Sequence, residues 1–414
     1  MNTGNTPGGG RADVVLGVSG GIAAYKAAEL LRLFTESGHD VRVIPTASAL
    51  EFVGAPTWAA LSGHPVTSEV WDDVHRVPHV RIGRSADLLV VAPATADLLA
   101  KAAHGIADDL LTNTLLTATC PVMFAPAMHT EMWEHPATQS NVAILRERGV
   151  IVVEPAVGRL TGADSGKGRL PEPEELFELA TEVRRRGALP ADLRGRHVVV
   201  SAGGTREYLD PVRFLGNRSS GLMGYALARS AVARGAEVTL VAANADLPDP
   251  AGVKTVPVES TAQMSAAVLD AAAGADAVVM AAAPADFRPV ERADDKIKKA
   301  DDGTAPTVVL TQTDDILARL ARERPREGAV IVGFAAETGD SEADVMTHAR
   351  AKLQRKGCDL LVVNDVSGGK VFGSPETEAV ILDAAGRSTE VGRGPKSALA
   401  HAVWDAVAEL LTAR

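Results

Sequence analysis

Residues 14–31 read VVLGVSGGIAAYKAAELL, and residues 197–207 read HVVVSAGGTRE, followed at 216–228 by GNRSSGLMGYALA. Each stretch opens with the continuous β-branched apolar run of a strand buried on both faces, then breaks at small residues. In the first, the break at Ser19, Gly20 and Gly21 leads directly into apolar residues at helical spacing. A strand that turns through glycine into a helix is the start of a βαβ unit. Outward from the first opening, VRVIP, LLVVAPA, PVMFAPAM and VIVVEPA repeat the strand signal with helical patterns between them. Outward from the second, AEVTLVAA, ADAVVMAAAPADF, GAVIVGFAAET and CDLLVVND do the same. The expected fold is α/β, with two doubly wound Rossmann-like domains. Between them, ELFELATEVRRR predicts a helix, and GALPADLRG has no apolar periodicity, which puts the junction near Pro190. The expected division is a disordered tail over 1–11, a first domain over 12–189 and a second over 190–414.

Composition agrees with two globular halves. The chain has 414 residues, 46% hydrophobic and only 4% aromatic, and no apolar run reaches the roughly 20 residues needed to span a bilayer. The N-terminal MNTGNTPGGG lacks the basic start and apolar core of a signal peptide, so a cytoplasmic protein is expected. Cys120 and Cys358 lie one in each half, which argues against a disulfide framework and a cysteine zinc site. A net charge of −11 argues against a general nucleic-acid surface, so local basic patches should mark local anions.

In open α/β sheets ligands bind at the carboxyl ends of the strands. There the first half offers Ser19, Gly20 and Gly21 at a helix start, where backbone N–H groups suit a phosphate. Such a turn also uses glycine for geometry alone. Thr46 and Ser48 end the next strand, and Thr95 and Asp97 a third, so three polar strand ends converge as a bound cofactor would require. The second half offers Ser219, Ser220, Gly221 and Gly224 at a helix start, read either as a phosphate loop or as a plain N-cap. Lys296, Lys298 and Lys299 in DDKIKKADDG form either an anion contact or a solvated loop. Lys352 and Lys356, four apart, share a helix face.

The motifs GVSGGIAAYK, PHVRIGRSADLLVVAPATAD, ADDLLT and APAMHTEMW resemble the flavin mononucleotide-dependent cysteine decarboxylase family. The resemblance implies FMN on Ser19, Gly20, Gly21, Ile22, Ser48 and Thr95, and His79 as catalytic base in oxidative decarboxylation of 4′-phosphopantothenoylcysteine. It implies a substrate-carboxylate loop with Met128, His129 and Met132, and a mobile flap over GRLTGADSGKGRLPEP that includes Gly162 and Asp164. His129 stands where the family has Asn, and Gly162 where it has the cysteine that donates a proton. His129 is the first candidate to replace that donor, since an imidazole carries a labile proton, with Thr161, Asp164 or water as alternatives.

From about residue 195 onward, SAGGTREYLDPVRFLGNRSSGLMG, AAAPADFRP, DKIKK, GFAAET and HARAKLQRKGCDLLVVND resemble phosphopantothenate–cysteine ligase. That resemblance implies CTP, with Mg²⁺ on its phosphates, at Ala283, Asp286, Lys296, Asp314, Asp315, Ile316, Leu317, Phe334, Lys352 and Lys356. It further implies that Phe334 lies against the base, that Lys296 stabilises charge as the carboxylate of 4′-phosphopantothenate attacks the α-phosphate, and that Asn217 holds the acyl-cytidylate as L-cysteine attacks. Asp314 stands where the family usually has Pro. Spacing alone does not separate CTP from ATP. The resemblances also imply a homo-oligomer with trimeric contacts in the decarboxylase half and dimeric contacts, through DPVRFLGN, in the ligase half. Two rivals remain at this point: a phosphatase-binding regulator of the decarboxylase fold with only the ligase half active, although such regulators carry acidic tails, and a flavin prenyltransferase, which needs no ligase half.

Overall fold

The computed structural model describes residues 11–68, 78–160, 164–187, 191–298, 305, 307–337, 345–365 and 376–414. Thr161, Gly162, Pro190 and Lys299 lie outside the described residues. The chain divides into two compact units: the first ends at Arg194 and takes in Val232–Gly235 and Asp249–Gly252, and the second holds the rest from Gly195 to Arg414.

The first unit is built on β1 (Asp13–Val18), β2 (Asp40–Pro45), β3 (Leu88–Ala94), β4 (Val122–Pro126) and β5 (Ile151–Val152). They form a parallel sheet in the order β2-β1-β3-β4-β5. All seven residues of β3 are buried, as expected of a central strand covered on both faces. One face packs on Leu98, Leu99, Leu110, Leu111, Val142 and Leu145, the apolar stripes of three helices. VIVVEPA contributes only two strand residues, because Glu154 turns to ion pairs with Arg146 and Lys167 and Pro155 has no N–H for a ladder. The chain then forms an antiparallel hairpin, β6 (Ala156–Arg159) with β7 (Ser165–Arg169). The strand order reverses between β1 and β3, which opens a crevice at their carboxyl ends.

The second unit has β8 (His197–Gly203), β11 (Glu237–Ala243), β12 (Val253–Val258), β13 (Ala277–Met280), β16 (Val330–Glu337), β17 (Leu360–Asp365), β18 (Glu376–Asp383) and β19 (Ser388–Pro395) in one sheet. The order is β12-β11-β8-β13-β16-β17-β18-β19. The first six in that order run parallel, β18 pairs antiparallel with β17, and β19 pairs antiparallel with β18. Two small hairpins lie outside the sheet: β9 (Arg206–Tyr208) with β10 (Phe214–Gly216), and β14 (Phe287–Pro289) with β15 (Leu310–Gln312). Val199, Val241, Val278, Ile331 and Leu361, one from each of five strands, share a core cluster with Met264, Val268, Leu320 and Leu353 from the covering helices. The strand signal of ADAVVMAAAPADF is realised only as far as Met280. Here too the order reverses, between β8 and β13. Among the described residues no helix is long and apolar enough to cross a membrane.

Candidate functional site

At the crevice of the first unit, Ser19 holds two strands together. Its N–H and hydroxyl donate to the Pro93 carbonyl at 3.2 and 2.7 Å, and the same hydroxyl oxygen accepts from the Thr95 N–H at 2.9 Å. Ser19 is 1% exposed and its only hydroxyl proton is committed, so it shapes the turn and leaves anion contact to the backbone beyond it. A Cβ on Gly20 would stand 2.4 Å from the Ser48 Cβ, so the absence of a side chain lets the two loops touch. A Cβ on Gly21 would meet nothing within 4 Å, and Ile22 is 71% exposed. Open space thus lies in front of a backbone flanked by Ser48 and Thr95. Thr95 caps the helix Ala96–His104 through the Leu98 N–H.

The same strand end carries the second loop. The Ala127 N–H donates to the Ala94 carbonyl at 3.2 Å, and the Met128 N–H donates to the Gly168 carbonyl at 3.0 Å. The β6–β7 hairpin therefore lies on the Met128–Thr130 segment. A Cβ on Gly168 would be 2.1 Å from the Met128 carbonyl oxygen, and one on Gly166 2.3 Å from the Thr130 hydroxyl oxygen. His129 and Met132 are exposed, and the Asp164 carbonyl accepts from the Leu160 N–H at 2.8 Å near the hairpin's tip.

His79 is the second residue of the helix Pro78–Ser85, which packs against the helix Leu110–Thr117: the Thr117 hydroxyl donates to the His79 carbonyl at 2.8 Å. Leu111 of that second helix fills the space beside Gly17 of β1, where a Cβ would clash at 2.6 Å. The His79 Nδ1 is enclosed and meets no hydrogen-bond partner among the described residues. A buried polar atom of this kind is rare and marks a place where a ligand or proton is expected. Burial pushes both thiols, Cys120 and Cys358, up to about 11, so neither is a thiolate at neutral pH.

The second unit holds a cleft of about 590 Å³ at the reversal of strand order. It brings together Asn217, Ser219, Ser220 and Gly221 with Ala283, Asp286 and Asp314 to Leu317, and with Phe334, Lys352 and Lys356. A Cβ on Gly204 would lie 2.6 Å from the Asn217 carbonyl oxygen, so the segment leading to Ser219 runs directly over the end of β8. The Asn217 amide donates to the Pro284 carbonyl at 2.8 Å, which fixes the side chain and leaves its second N–H as a donor. Asp315 caps the helix Ile316–Glu323 by accepting from the Ala318 N–H at 3.1 Å, and it is ion-paired with Lys356. Burial alone would raise the Asp315 carboxyl, but the Lys356 ammonium and that N–H hold it below the usual carboxylate range.

Lys296 is not among the cleft-lining residues and is exposed. Its loop is tied to the DPVR segment instead: the Ile297 N–H donates to Asp210 at 3.2 Å, and Arg213 donates to the Ile297 carbonyl at 2.5 Å. Asp210 also accepts from the Val212 and Arg213 N–H groups, both at 2.8 Å. Desolvation would raise this enclosed carboxyl, yet these donors lower it to about 2.

The sequence reading missed Arg218, Asn364, Thr377 and Lys396 on the cleft wall. Asn364 carried a usable signal, since it is a polar residue ending the strand run CDLLVVND. Thr377 and Lys396 carried none, because only the antiparallel return of β18 and β19 brings them there. Burial holds the Lys396 ammonium below the usual lysine range. Among the described residues no cluster of three or more His, Cys, Asp or Glu side chains is placed to hold a metal ion.

The flavoprotein family model matches residues 6–185, and the model for the DNA/pantothenate metabolism flavoprotein C-terminal domain matches residues 193–411. The chain is similar to the coenzyme A biosynthesis bifunctional protein CoaBC of Mycobacterium tuberculosis (strain ATCC 25618 / H37Rv), with 59% identity over 404 residues, 96% of each chain. It is also similar to the protein of that name from Bacillus subtilis (strain 168), with 44% identity over 383 residues, 92% of each chain. A crystal structure of the C-terminal domain of a CoaBC is 32% identical and covers 54% of this chain and 100% of that one, with a TM-score of 0.45.

Proposed function

Since the chain belongs to the family of bifunctional coenzyme A biosynthesis proteins, and is a flavoprotein decarboxylase joined to a ligase, we propose how its own residues divide the two reactions. The ligase half couples 4′-phosphopantothenate to L-cysteine at the expense of CTP, and the decarboxylase half converts the product to 4′-phosphopantetheine. The observation that carries the reading is the gathering of Ser219 to Gly221, Ala283, Asp286, Asp314 to Leu317, Phe334, Lys352 and Lys356 around one cleft.

In the ligase half, the helix start at Ser219 to Gly221 offers N–H donors to phosphate, and Lys352 and Lys356 add positive charge. Lys356 exchanges Asp315 for the triphosphate when the nucleotide enters. Mg²⁺ arrives with the nucleotide, which fits the absence of a dedicated carboxylate cage among the described residues. Lys296, exposed on its loop, swings to the α-phosphate and stabilises the charge of the attacked phosphorus. Asn217, fixed by Pro284, then presents its remaining N–H to the acyl carbonyl as cysteine attacks.

In the decarboxylase half, Gly20, Gly21 and Ile22 with Ser48 and Thr95 hold FMN, and the open space before Gly21 fits a group that approaches the backbone closely. Bound FMN would supply the two-electron oxidation of the substrate thiol to a thioaldehyde, whose C=S takes up the electron pair left on carbon when CO₂ departs. His79 takes the substrate proton, a role worth about 10² to 10⁴ in rate. The Met128–Met132 loop holds the substrate carboxylate under the β6–β7 hairpin, and His129 supplies the proton that the decarboxylated ene-thiolate takes up as the two electrons removed in the oxidation are returned to it.

The protein works in the cytoplasm as a homo-oligomer, with trimeric contacts in the first half and dimeric contacts in the second. Exposed apolar side chains support this: Ile22 at 71% and Tyr25 at 60% in the first unit, Val212 at 59% and Phe214 at 45% in the second. The purified chain should be yellow, release pyrophosphate from CTP when given 4′-phosphopantothenate, and release CO₂ from the coupled product. Clear preference for ATP over CTP would overturn the nucleotide assignment, and a colourless protein that releases no CO₂ would overturn the residue roles in the first half.

A further inference from the structure

Asn364 stands near the carboxyl end of β17, on the wall of the ligase cleft. Its register places it beside Phe334. Phe334 of β16 pairs with Val362 of β17, and Asn364 is two residues further along the same strand. Side chains two apart on a strand share a face, so Asn364 is a diagonal neighbour of Phe334 on one side of the sheet. Both line the same cleft.

The two ends of the Asn364 amide are treated differently. Its NH₂ donates to the Thr377 hydroxyl oxygen at 2.9 Å, and Thr377, 5% exposed, is a buried support on the next strand. Its carbonyl oxygen is enclosed and meets no donor among the described residues. A buried acceptor left unpaired is costly, and one held in place at a cleft wall calls for a donor on the ligand. With Phe334 against the base, the ligand edge within reach is that of the pyrimidine and not the triphosphate. The donor on that edge of cytosine is the 4-amino group, whereas uracil presents a carbonyl oxygen there.

We propose that Asn364, oriented by Thr377, accepts a hydrogen bond from the 4-amino group of the pyrimidine and so selects a cytosine over a uracil nucleotide. This rests on the reading of the cleft as a CTP site with Phe334 against the base. Uracil brings two acceptor oxygens face to face. A 2-pyrimidinone base, which has only a hydrogen at that position, leaves the Asn364 oxygen unpaired.

The test uses the full chain, with pyrophosphate release measured for CTP, UTP, ATP and the 2-pyrimidinone ribonucleoside triphosphate. The wild type should favour CTP over the 2-pyrimidinone nucleotide by about ten- to a hundredfold in kcat/KM, and over UTP by more. Asn364→Leu should bring CTP down to the level of the 2-pyrimidinone nucleotide, with pyrophosphate release from the 2-pyrimidinone nucleotide itself, kept near the wild-type rate, reporting that the ligase half is folded. If that variant does not fold, Asn364→Asp provides the second arm: it keeps an acceptor oxygen and should keep the preference for CTP. Equal use of CTP and the 2-pyrimidinone nucleotide by the wild type overturns the proposal, as does a preference that survives in Asn364→Leu. A wild-type preference for UTP overturns it too, because it would mean that the NH₂ end faces the cleft. Use of ATP without CTP fails the underlying reading and the proposal together, whereas use of CTP without discrimination fails the proposal alone.

Discussion

At the residue scale, His79 and His129 differ in their surroundings, and so in what a substitution should do. His79 has an enclosed Nδ1 that meets no partner among the described residues and sits on a helix that makes no part of the Ser19–Ile22 turn. His79→Asn should therefore keep the flavin absorption and lose decarboxylation by about 10² or more; loss of flavin together with activity would make it a binding residue. His129 is exposed on the loop beneath the hairpin. His129→Asn, assayed separately for CO₂ and for 4′-phosphopantetheine, should release CO₂ while the unreduced ene-thiol accumulates. Equal loss of both products would assign His129 to substrate binding. In the ligase half, Asn217 lines the cleft, whereas Lys296 does not and is exposed. Lys296→Gln should block acyl-cytidylate formation, whereas Asn217→Asp should let it form and stall before cysteine. Single-turnover assays with labelled CTP separate the two steps, and a stop at one common step would refute the division of labour. The polar residues at strand ends were legible here because strand ends and glycine turns are local patterns. The commitment of the Ser19 hydroxyl to Pro93 was not, since its acceptor is 74 residues away in the chain.

At the scale of elements, the β6–β7 hairpin and the Met128 loop are held together by glycines where a side chain would collide. Gly168 is the sharpest case, because its would-be Cβ overlaps a backbone carbonyl and not a flexible side chain. Gly168→Ala should displace the hairpin by about an ångström and cost the decarboxylase tenfold or more, with pyrophosphate release by the ligase unchanged. Normal CO₂ release would show that the hairpin's seating is not needed for the reaction. Elements were legible in sequence where they are buried on both faces: β1, β3, β8, β11 and β17 match their apolar runs. VIVVEPA and ADAVVMAAAPADF exceed the strands they form, since apolar character persists where the chain leaves the ladder to line a site. β19 had no signal because nearly all its residues are exposed.

At the scale of the whole molecule, several carboxylates are held below their ordinary range by partners distant in sequence. For Asp359, burial would raise the carboxyl, but Arg324 at 2.6 Å, the Ile331 N–H and Arg414 outweigh it. Asp210 is lowered to about 2, by the nearby Val212 and Arg213 N–H groups and the Arg213 guanidinium together with the distant Ile297 N–H. A folded-state value below the unfolded one means that the unfolded chain binds protons more readily, so the stabilisation is full above about pH 4 and vanishes as pH falls through the folded value. Thermal melts followed by circular dichroism should thus weaken steeply from about pH 4 toward pH 2. Asp210→Asn should flatten that dependence for the second unit while lowering its Tm at neutral pH. A melt as steep in the variant as in the wild type would remove Asp210 from the account.

The sequence by itself determined two α/β halves and pointed to the carboxyl ends of their strands, because buried strands, glycine turns and helix starts are written in contiguous residues; Ser219 to Gly221 at the cleft were readable in that way, whereas Asp286, Asp314 to Leu317 and Phe334 were named only by resemblance. Only the tertiary structure decided which strand ends meet. The orders β2-β1-β3-β4-β5 and β12-β11-β8-β13-β16-β17-β18-β19 come from the packing of helices on sheets. Those orders set Thr95 beside Ser19, keep Lys296 on the DPVR hairpin, and bring Asn364, Thr377 and Lys396 to the cleft. Each of those meetings joins residues far apart in the chain, and no local preference encodes a distance between them.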